Sequence, residues 1–185
     1  HSRHEVLQKE FNSGPEVTKA CLSCHELAAG QFHKTIHWTW LDPNVPPGER
    51  IGKAGLSINN FCINLNGNEP RCTSCHAGYG WRDSSFNFND EAAVDCLVCH
   101  EQTGTYKKFP AGAGHPVSEP KMFGGKKKFL PPDWNTVAQS VSRPSRKNCG
   151  TCHFFGGGGD GVKHGDLDTS LSNPTARVDV HMGTH

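Results

Sequence analysis

The sequence is short of the large apolar residues that normally form a protein core. Leucine, isoleucine, valine and phenylalanine together make up fewer than one in five of the 185 residues. Such a level is usual in disordered chains that carry a high net charge. The formal charge here is only +1, so charge repulsion does not explain it. The length fits one domain or a tight pair, and we treat 1–185 as a single domain whose core needs another source of apolar surface.

Long apolar runs and long basic runs are also missing. No stretch is long and apolar enough to span a membrane, so no membrane span is expected. The only basic cluster, GGKKKF at 124–129, is typical of a solvated loop. Nucleic acid is therefore not an expected partner.

Cysteine, in contrast, is abundant, and eight of the nine cysteines follow one pattern. Two cysteines stand three apart and a histidine comes directly after them. The pattern occurs as CLSCH (21–25), CTSCH (72–76), CLVCH (96–100) and CGTCH (149–153), called below the first to fourth motifs. The distances between motifs differ, so what repeats is an anchor and not a folding unit.

Several kinds of site contain cysteine pairs at this spacing. A thioredoxin-like redox site needs one pair beside a βαβ unit and gives no role to the histidine. Two zinc sites can be built from four pairs, but they too leave the histidines unexplained, and structural disulfides do no better. A covalent c-type haem uses every position, because the two cysteines bond one porphyrin and the histidine binds its iron.

We therefore predict four covalently bound haem c groups, which also supply the missing apolar core. Each haem brings two propionates, so loading changes the formal charge from +1 to about −3 in the ferric state. The predicted attachment residues are Cys21, Cys24, Cys72, Cys75, Cys96, Cys99, Cys149 and Cys152, and the predicted proximal iron ligands are His25, His76, His100 and His153.

Each iron needs a second axial ligand, and histidine is the expected one. Methionine is the usual rival, but the chain has only two. His33 and His37 stand four apart on one predicted helix face, without the glutamate of a zinc protease motif; one of them is expected to bind iron, and we favour His37. Eight histidines lie outside the motifs, of which four are expected to be distal ligands: His1, His4, His33, His37, His115, His164, His181 and His185.

The predicted fold is an irregular multihaem cytochrome c, with few short helices carrying the motifs, long loops and little or no sheet. Glycine and proline are frequent, with 21 and 12 residues, which favours loops. One helix is predicted from Pro15 through the first motif to Trp38. Others are predicted before the third motif with a cap at Asn89 or Asp90, from Pro144 into the fourth motif, and after a cap at Asp133. The segment 109–132 is predicted to be a loop.

The chain also resembles a known family, the octahaem tetrathionate reductases, in their amino-terminal, four-haem half. The resemblance covers nearly the whole chain and implies closely packed haems, with distal ligands at His4, His37, His164 and His181. The segments that carry it are HEVL, GPEVTKACLSCH, HKTIHWTW, NNFCI, EPRCTSCHAGYGW, VDCLVCHEQTG, NCGTCHFFGGGGDGVKHGDLD and DVHMG.

The chain departs from this family in three ways that bear on activity. It has four motifs where the family has eight haems. The family's catalytic haem has a lysine ligand, and we match that haem to the second motif, which makes Lys107 and Lys108 the nearest candidates. The segment GHPVSEPKMFGGKKKFLPP is not part of the family pattern, and it offers His115 as a ligand that closes the iron face.

The ninth cysteine, Cys62, lies outside the four motifs. It is either a small packing residue or a thiol close to a haem.

The function expected from these features is electron transfer through closely packed haems. In size and haem count the chain is similar to subunits of extracellular cytochrome filaments. Histidines near both ends predict either a tail folded back on its own subunit or a ligand donated head to tail to the next one. The alternatives are a reductase of a sulfur or nitrogen oxyanion and a soluble monomeric shuttle. Expected partners are copies of the chain, other redox proteins or extracellular electron acceptors.

Location follows from the cofactor. Haem c is attached outside the cytoplasmic membrane, so we expect a removed export signal. The expected location is extracellular or on the cell surface, and otherwise periplasmic.

Overall fold

The computed structural model describes residues 1–55, 65–154, 160 and 169–177. Short helices joined by long loops dominate these parts of the chain. The α-helices are α1 Gly14–Leu22, α2 Ala28–Phe32, α3 Ile36–Thr39, α4 Glu69–Cys72, α5 Leu97–His100, α6 Trp134–Gln139 and α7 Arg146–His153. Turns of 3₁₀-helix cover Glu5–Leu7, Thr73–Cys75, Glu91–Ala93 and Thr169–Ser172, and the strands are β1 Lys121–Phe123 and β2 Lys127–Phe129.

The region around the first motif is not one helix, as the sequence predicts, but three. Helix α1 begins as expected, with Pro15 in its first turn and the Ser13 hydroxyl accepting a bond from the Glu16 N–H at 3.4 Å. Extended backbone at Thr35 precedes α3, and Trp40 ends it in the left-handed region at φ 50°. The prediction of one continuous helix is wrong, because the backbone leaves the helical conformation at Thr35 and again at Trp40.

The other helix predictions agree more closely with the structure. Helix α6 follows the Asp133 cap, whose carboxylate accepts the Thr136 N–H at 3.0 Å. Helix α7 begins two residues after Pro144, behind a capping box at Ser145. Asp90 caps a 3₁₀ turn that ends before the third motif, while α5 begins within that motif.

The segment predicted as a loop contains an antiparallel hairpin, although sheet is as minor as expected. Strand β1 pairs with β2 in the register Lys121↔Phe129, Met122↔Lys128 and Phe123↔Lys127. Gly124 and Gly125, in the turn, both have positive φ, at 59° and 69°, which primed hairpin turns require.

The described core consists of three separate apolar clusters. The largest joins α1, α5 and α6 through Val17, Leu97 and Val137, all fully buried. A second surrounds Trp38, and a third joins Phe109 to the hairpin. None of the helices in the described ranges is long and apolar enough to cross a membrane.

Candidate haem-binding sites

The four motifs lie against one another, although they are far apart in the sequence. The Cys21 and Cys96 thiols are hydrogen-bonded to each other, which joins the first motif to the third. The Cys75 and Cys152 thiols join the second to the fourth, and this bond lowers the pKa of Cys75 to about 6 while it raises the pKa of Cys152. Helix α5 packs on α7, so the third motif also contacts the fourth.

The second and third motifs, 19 residues apart in the sequence, are joined through the backbone. The Asp95 N–H donates to the Ala77 carbonyl at 3.0 Å, and Gly78 forms an isolated bridge with Val94. Each contact lies directly beside a motif. These bonds place the second and third anchors side by side.

The imidazole of the third motif is oriented as a metal ligand should be. His100 Nδ1 lies 2.9 Å from the Ser142 carbonyl. A carbonyl partner at Nδ1 favours the tautomer in which Nδ1 carries the ring hydrogen and Nε2 keeps the lone pair that a metal needs. The residues at this motif therefore fit a haem iron.

Two further imidazole pairs lie at a centroid separation that leaves room for one metal ion between the rings. The ring centroids of His37 and His153 are 6.2 Å apart, and those of His1 and His25 are 6.1 Å apart. Two metal–nitrogen bonds of about 2 Å each, plus the distance from each nitrogen to its ring centroid, come to about 6 Å. The structure thus brings predicted His37 to the fourth motif and places His1, with His4 beside it at 5.4 Å, at the first.

The second motif is the most enclosed. His76 is fully buried; its Nε2 lies 2.8 Å from the Trp38 carbonyl, and its Nδ1 is buried without a hydrogen-bond partner. Burial lowers the pKa of His76 to about 4, against the opposing effect of the bond to Trp38. The ring is therefore neutral, which is the form that binds metals, but its buried nitrogen without a partner is Nδ1, whereas at His100 the carbonyl bond is made by Nδ1. The five aromatic neighbours of His76, with centroids 5.0–6.3 Å away, are Trp38, Trp40, Trp81, Phe86 and Phe88.

The lysine that the family resemblance suggests is engaged elsewhere. Lys108 Nζ contacts the Asp95 carboxylate at 2.9 Å, the His76 carbonyl at 2.5 Å and the Gly78 carbonyl at 3.5 Å. An ammonium that donates to these acceptors has no lone pair for a metal. Lys107 is exposed.

Asp95 is the centre of a buried polar network that sequence reasoning missed. Its carboxylate accepts the Tyr79 and Tyr106 hydroxyls at 2.7 and 2.8 Å and the Val98 N–H at 3.0 Å. Burial and the Asp95 charge raise the pKa of both tyrosines well above the usual value, so both remain protonated donors. The network fixes the segment before the third motif to the segments around the second.

Two other histidines lie close to the second motif. His115 packs against the Tyr79 ring at 5.3 Å, and burial, with Arg82 and Lys108 adding to it, lowers the pKa of His115. His33 stacks on Trp38 at 4.5 Å, and its Nε2 is buried without a partner. The sequence offered His33 only as the less favoured half of a pair.

Some predicted residues lie outside the described residues, namely Cys62, His164, His181 and His185. Within the described ranges, no group of three or more histidine, cysteine or acidic side chains converges as a metal site. The eight motif cysteines are all free thiols.

Comparisons with known proteins agree with this arrangement. The model of the family "Cytochrome c554 and c-prime" matches residues 20–101, which contain the first three motifs. The crystal structure of an octaheme cytochrome c from Shewanella oneidensis is 48% identical to this chain, with a TM-score of 0.76. The match covers 97% of this chain but only 37% of that one. An uncharacterized protein of Archaeoglobus fulgidus is 24% identical, over 90% of this chain and 69% of its own length.

These similarities support the expected likeness to an octahaem protein, whereas the link to tetrathionate reductases stays a prediction. They also confirm the irregular fold of short helices, with one two-stranded sheet in the described part of the chain. With its four CxxCH motifs in mutual contact, this chain is similar to multihaem c-type cytochromes over nearly its whole length.

Proposed function

We propose that the protein holds four haems, one at each motif, and that carrying electrons between them is its function. Bound haem c supplies a one-electron ferric/ferrous couple at each site. The chain itself anchors, orients and encloses these groups. The observation that supports the proposal best is the contact between motifs, since each one touches at least one other through a thiol, a backbone bond or packed helices.

The ligand geometry favours a carrier over an oxyanion reductase. A reductase needs one iron face open to substrate, and in the related family that face belongs to the haem matched to the second motif. Here Lys108 is held by Asp95 and backbone carbonyls, and His115 lies nearby as a neutral imidazole. We propose two imidazoles per iron throughout.

Electron paramagnetic resonance of the ferric protein tests this closure. All four irons are expected to be low-spin, and nitrite or cyanide should leave the spectrum unchanged. A high-spin signal from a quarter of the haems that responds to such a ligand would support the reductase.

We further propose that copies of the chain join head to tail in an extracellular polymer. The first motif lies at the surface, with Cys24 and His25 exposed. Leu27, two residues after this motif, is 74% exposed, and Ile36, at the start of α3, is 54% exposed. Apolar side chains beside an exposed cofactor anchor suit a contact that passes electrons to a neighbour. Cys149 of the fourth motif is also exposed, which offers a second surface, and an open contact between two different surfaces makes a filament.

Native purification followed by electron microscopy tests the polymer. Filaments are expected from the natural protein, and Leu27→Glu with Ile36→Glu should disperse them. Leu130→Glu is a matched control, because Leu130 is 57% exposed and far from the first motif in sequence. A natural protein that stays monomeric would point to the soluble shuttle instead.

A further inference from the structure

The hairpin carries the densest positive charge in the sequence. Its strands and turn contain four lysines, Lys121, Lys126, Lys127 and Lys128, and all four are exposed. Met122, which pairs with Lys128 across the strands, is 52% exposed. We call these five residues the hairpin patch.

The patch is held in place by aromatic packing. Phe109 makes edge-on contacts with Phe123 and Phe129 at 5.7 and 5.4 Å. The Lys121 ammonium lies 4.8 Å from the Phe109 ring centroid, and that of Lys127 lies 5.1 Å from Phe129. These cation–π contacts favour the observed positions of two of the lysines.

The patch also lies close to the second motif. The Arg71 guanidinium, immediately before Cys72, lies 5.8 Å from the Phe123 ring. Phe109, which packs against the hairpin, directly follows Lys108 in the sequence, and the Lys108 ammonium contacts the His76 carbonyl. The hairpin is thus packed against the residue that precedes this motif and against Phe109, which follows the lysine that contacts the motif's histidine.

The charge of the patch contrasts with that of the loaded protein. Residues 120–132 contain no acidic side chain, while four ferric haems bring the whole molecule to about −3. A local positive field on a negative molecule orients an approaching partner and raises its association rate. Met122 and the nearby Leu130, which is 57% exposed, add the apolar contact that small electron-transfer interfaces use.

We propose that the hairpin patch is the docking surface for an acidic electron-transfer protein that exchanges electrons at the second motif. The partner loses one electron and the cytochrome gains one, or the reverse, and no bond is made or broken. This inference rests on the electron-carrier function proposed above and adds the partner and its point of entry.

The test uses the loaded protein and reduced flavodoxin, an acidic one-electron donor, as the probe. One variant reverses three patch charges, with Lys126, Lys127 and Lys128 changed to Glu. The control reverses three exposed lysines elsewhere, Lys9, Lys19 and Lys34, so both variants have the same net charge. Haem content and the visible spectrum confirm that each variant is folded.

Stopped-flow mixing at low salt gives the second-order rate of electron transfer. The rate constant of the patch variant is expected to fall about tenfold or more and to lose most of its salt dependence, whereas the rate constant of the control falls much less. Calorimetry with oxidised flavodoxin should show the same difference in binding, independently of electron transfer. Met122→Ser should weaken binding without altering the salt dependence.

Equal losses in both variants would overturn the proposal, since net charge alone would then govern the encounter. So would an unchanged patch variant, or a patch that binds anionic lipid vesicles but not flavodoxin. A small uncharged reductant separates this from the proposed function: if it fails to reduce even the natural protein, the carrier function fails, and not only the docking surface.

Discussion

Changing Asp95 to asparagine tests whether the buried ion pair fixes the arrangement of the motifs. The Asp95 side chain is 0% exposed, and Lys108, its partner at 2.9 Å, is 6% exposed. Asparagine keeps the shape of the side chain but removes its charge. The Lys108 ammonium is then left in the interior with backbone carbonyls as its remaining acceptors.

The expected loss is large compared with the stability of a protein. Breaking a buried pair by removing one partner costs about 3–5 kcal/mol, because the remaining charge stays buried without compensation. At about 1.4 kcal/mol per tenfold, the folding equilibrium falls by about two to four orders of magnitude. Total stabilities are only about 5–15 kcal/mol, so this single change removes a large part of what holds the protein folded.

Urea unfolding of the loaded protein, followed by circular dichroism, measures the loss. Asp83→Asn is the control, since the exposed Asp83 carboxylate accepts bonds, among the described residues, only from the Ser85 N–H and hydroxyl; little change is expected. Adding Lys108→Met to Asp95→Asn should recover part of the lost stability, because no lone charge then remains. An Asp95→Asn protein as stable as the natural one would refute the argument, as would a double variant whose loss equals the sum of the two single losses.

Three other predictions follow from the motifs and their surroundings. The mass of the denatured protein should exceed that of the polypeptide by four haems, and any other excess would contradict one haem per motif. His37→Ala should turn about a quarter of the ferric iron high-spin, whereas His33→Ala should not; the opposite result would make His33 the ligand. Gly78→Ala should destabilise the protein by about 1–3 kcal/mol in urea unfolding, since its Cβ would lie 2.7 Å from Trp38 and 2.8 Å from His76, and an unchanged midpoint would contradict this crowding.

The sequence predicted the anchors and several helix starts because both depend on local patterns. A CxxCH unit needs only five consecutive residues, and a cap such as Asp133 acts on the N–H of a residue three positions later. The pairing of motifs is different. Nothing in the spacing indicates that Cys21 meets Cys96 while Cys75 meets Cys152, since these contacts depend on how the loops between them close.

The hairpin and the Asp95 network were missed for related reasons. Strands of three residues are too short to show alternation, and only the Gly124–Gly125 pair signalled a hairpin turn. Asp95 and Lys108 are 13 positions apart, and the two tyrosines reach the same carboxylate from either side of it in the sequence. The sequence alone does not reveal that a charged residue beside a cysteine, such as Asp95, is buried.

The tryptophans around His76 give the protein an intrinsic fluorescence signal. Trp38 is 1% exposed, and its ring centroid is 5.1 Å from that of His76; those of Trp40 and Trp81 lie 5.3 and 5.0 Å away. Haem quenches indole emission strongly, and all four motifs lie close to these tryptophans. Their fluorescence in freshly made chains therefore provides an intrinsic signal for haem loading, without any label.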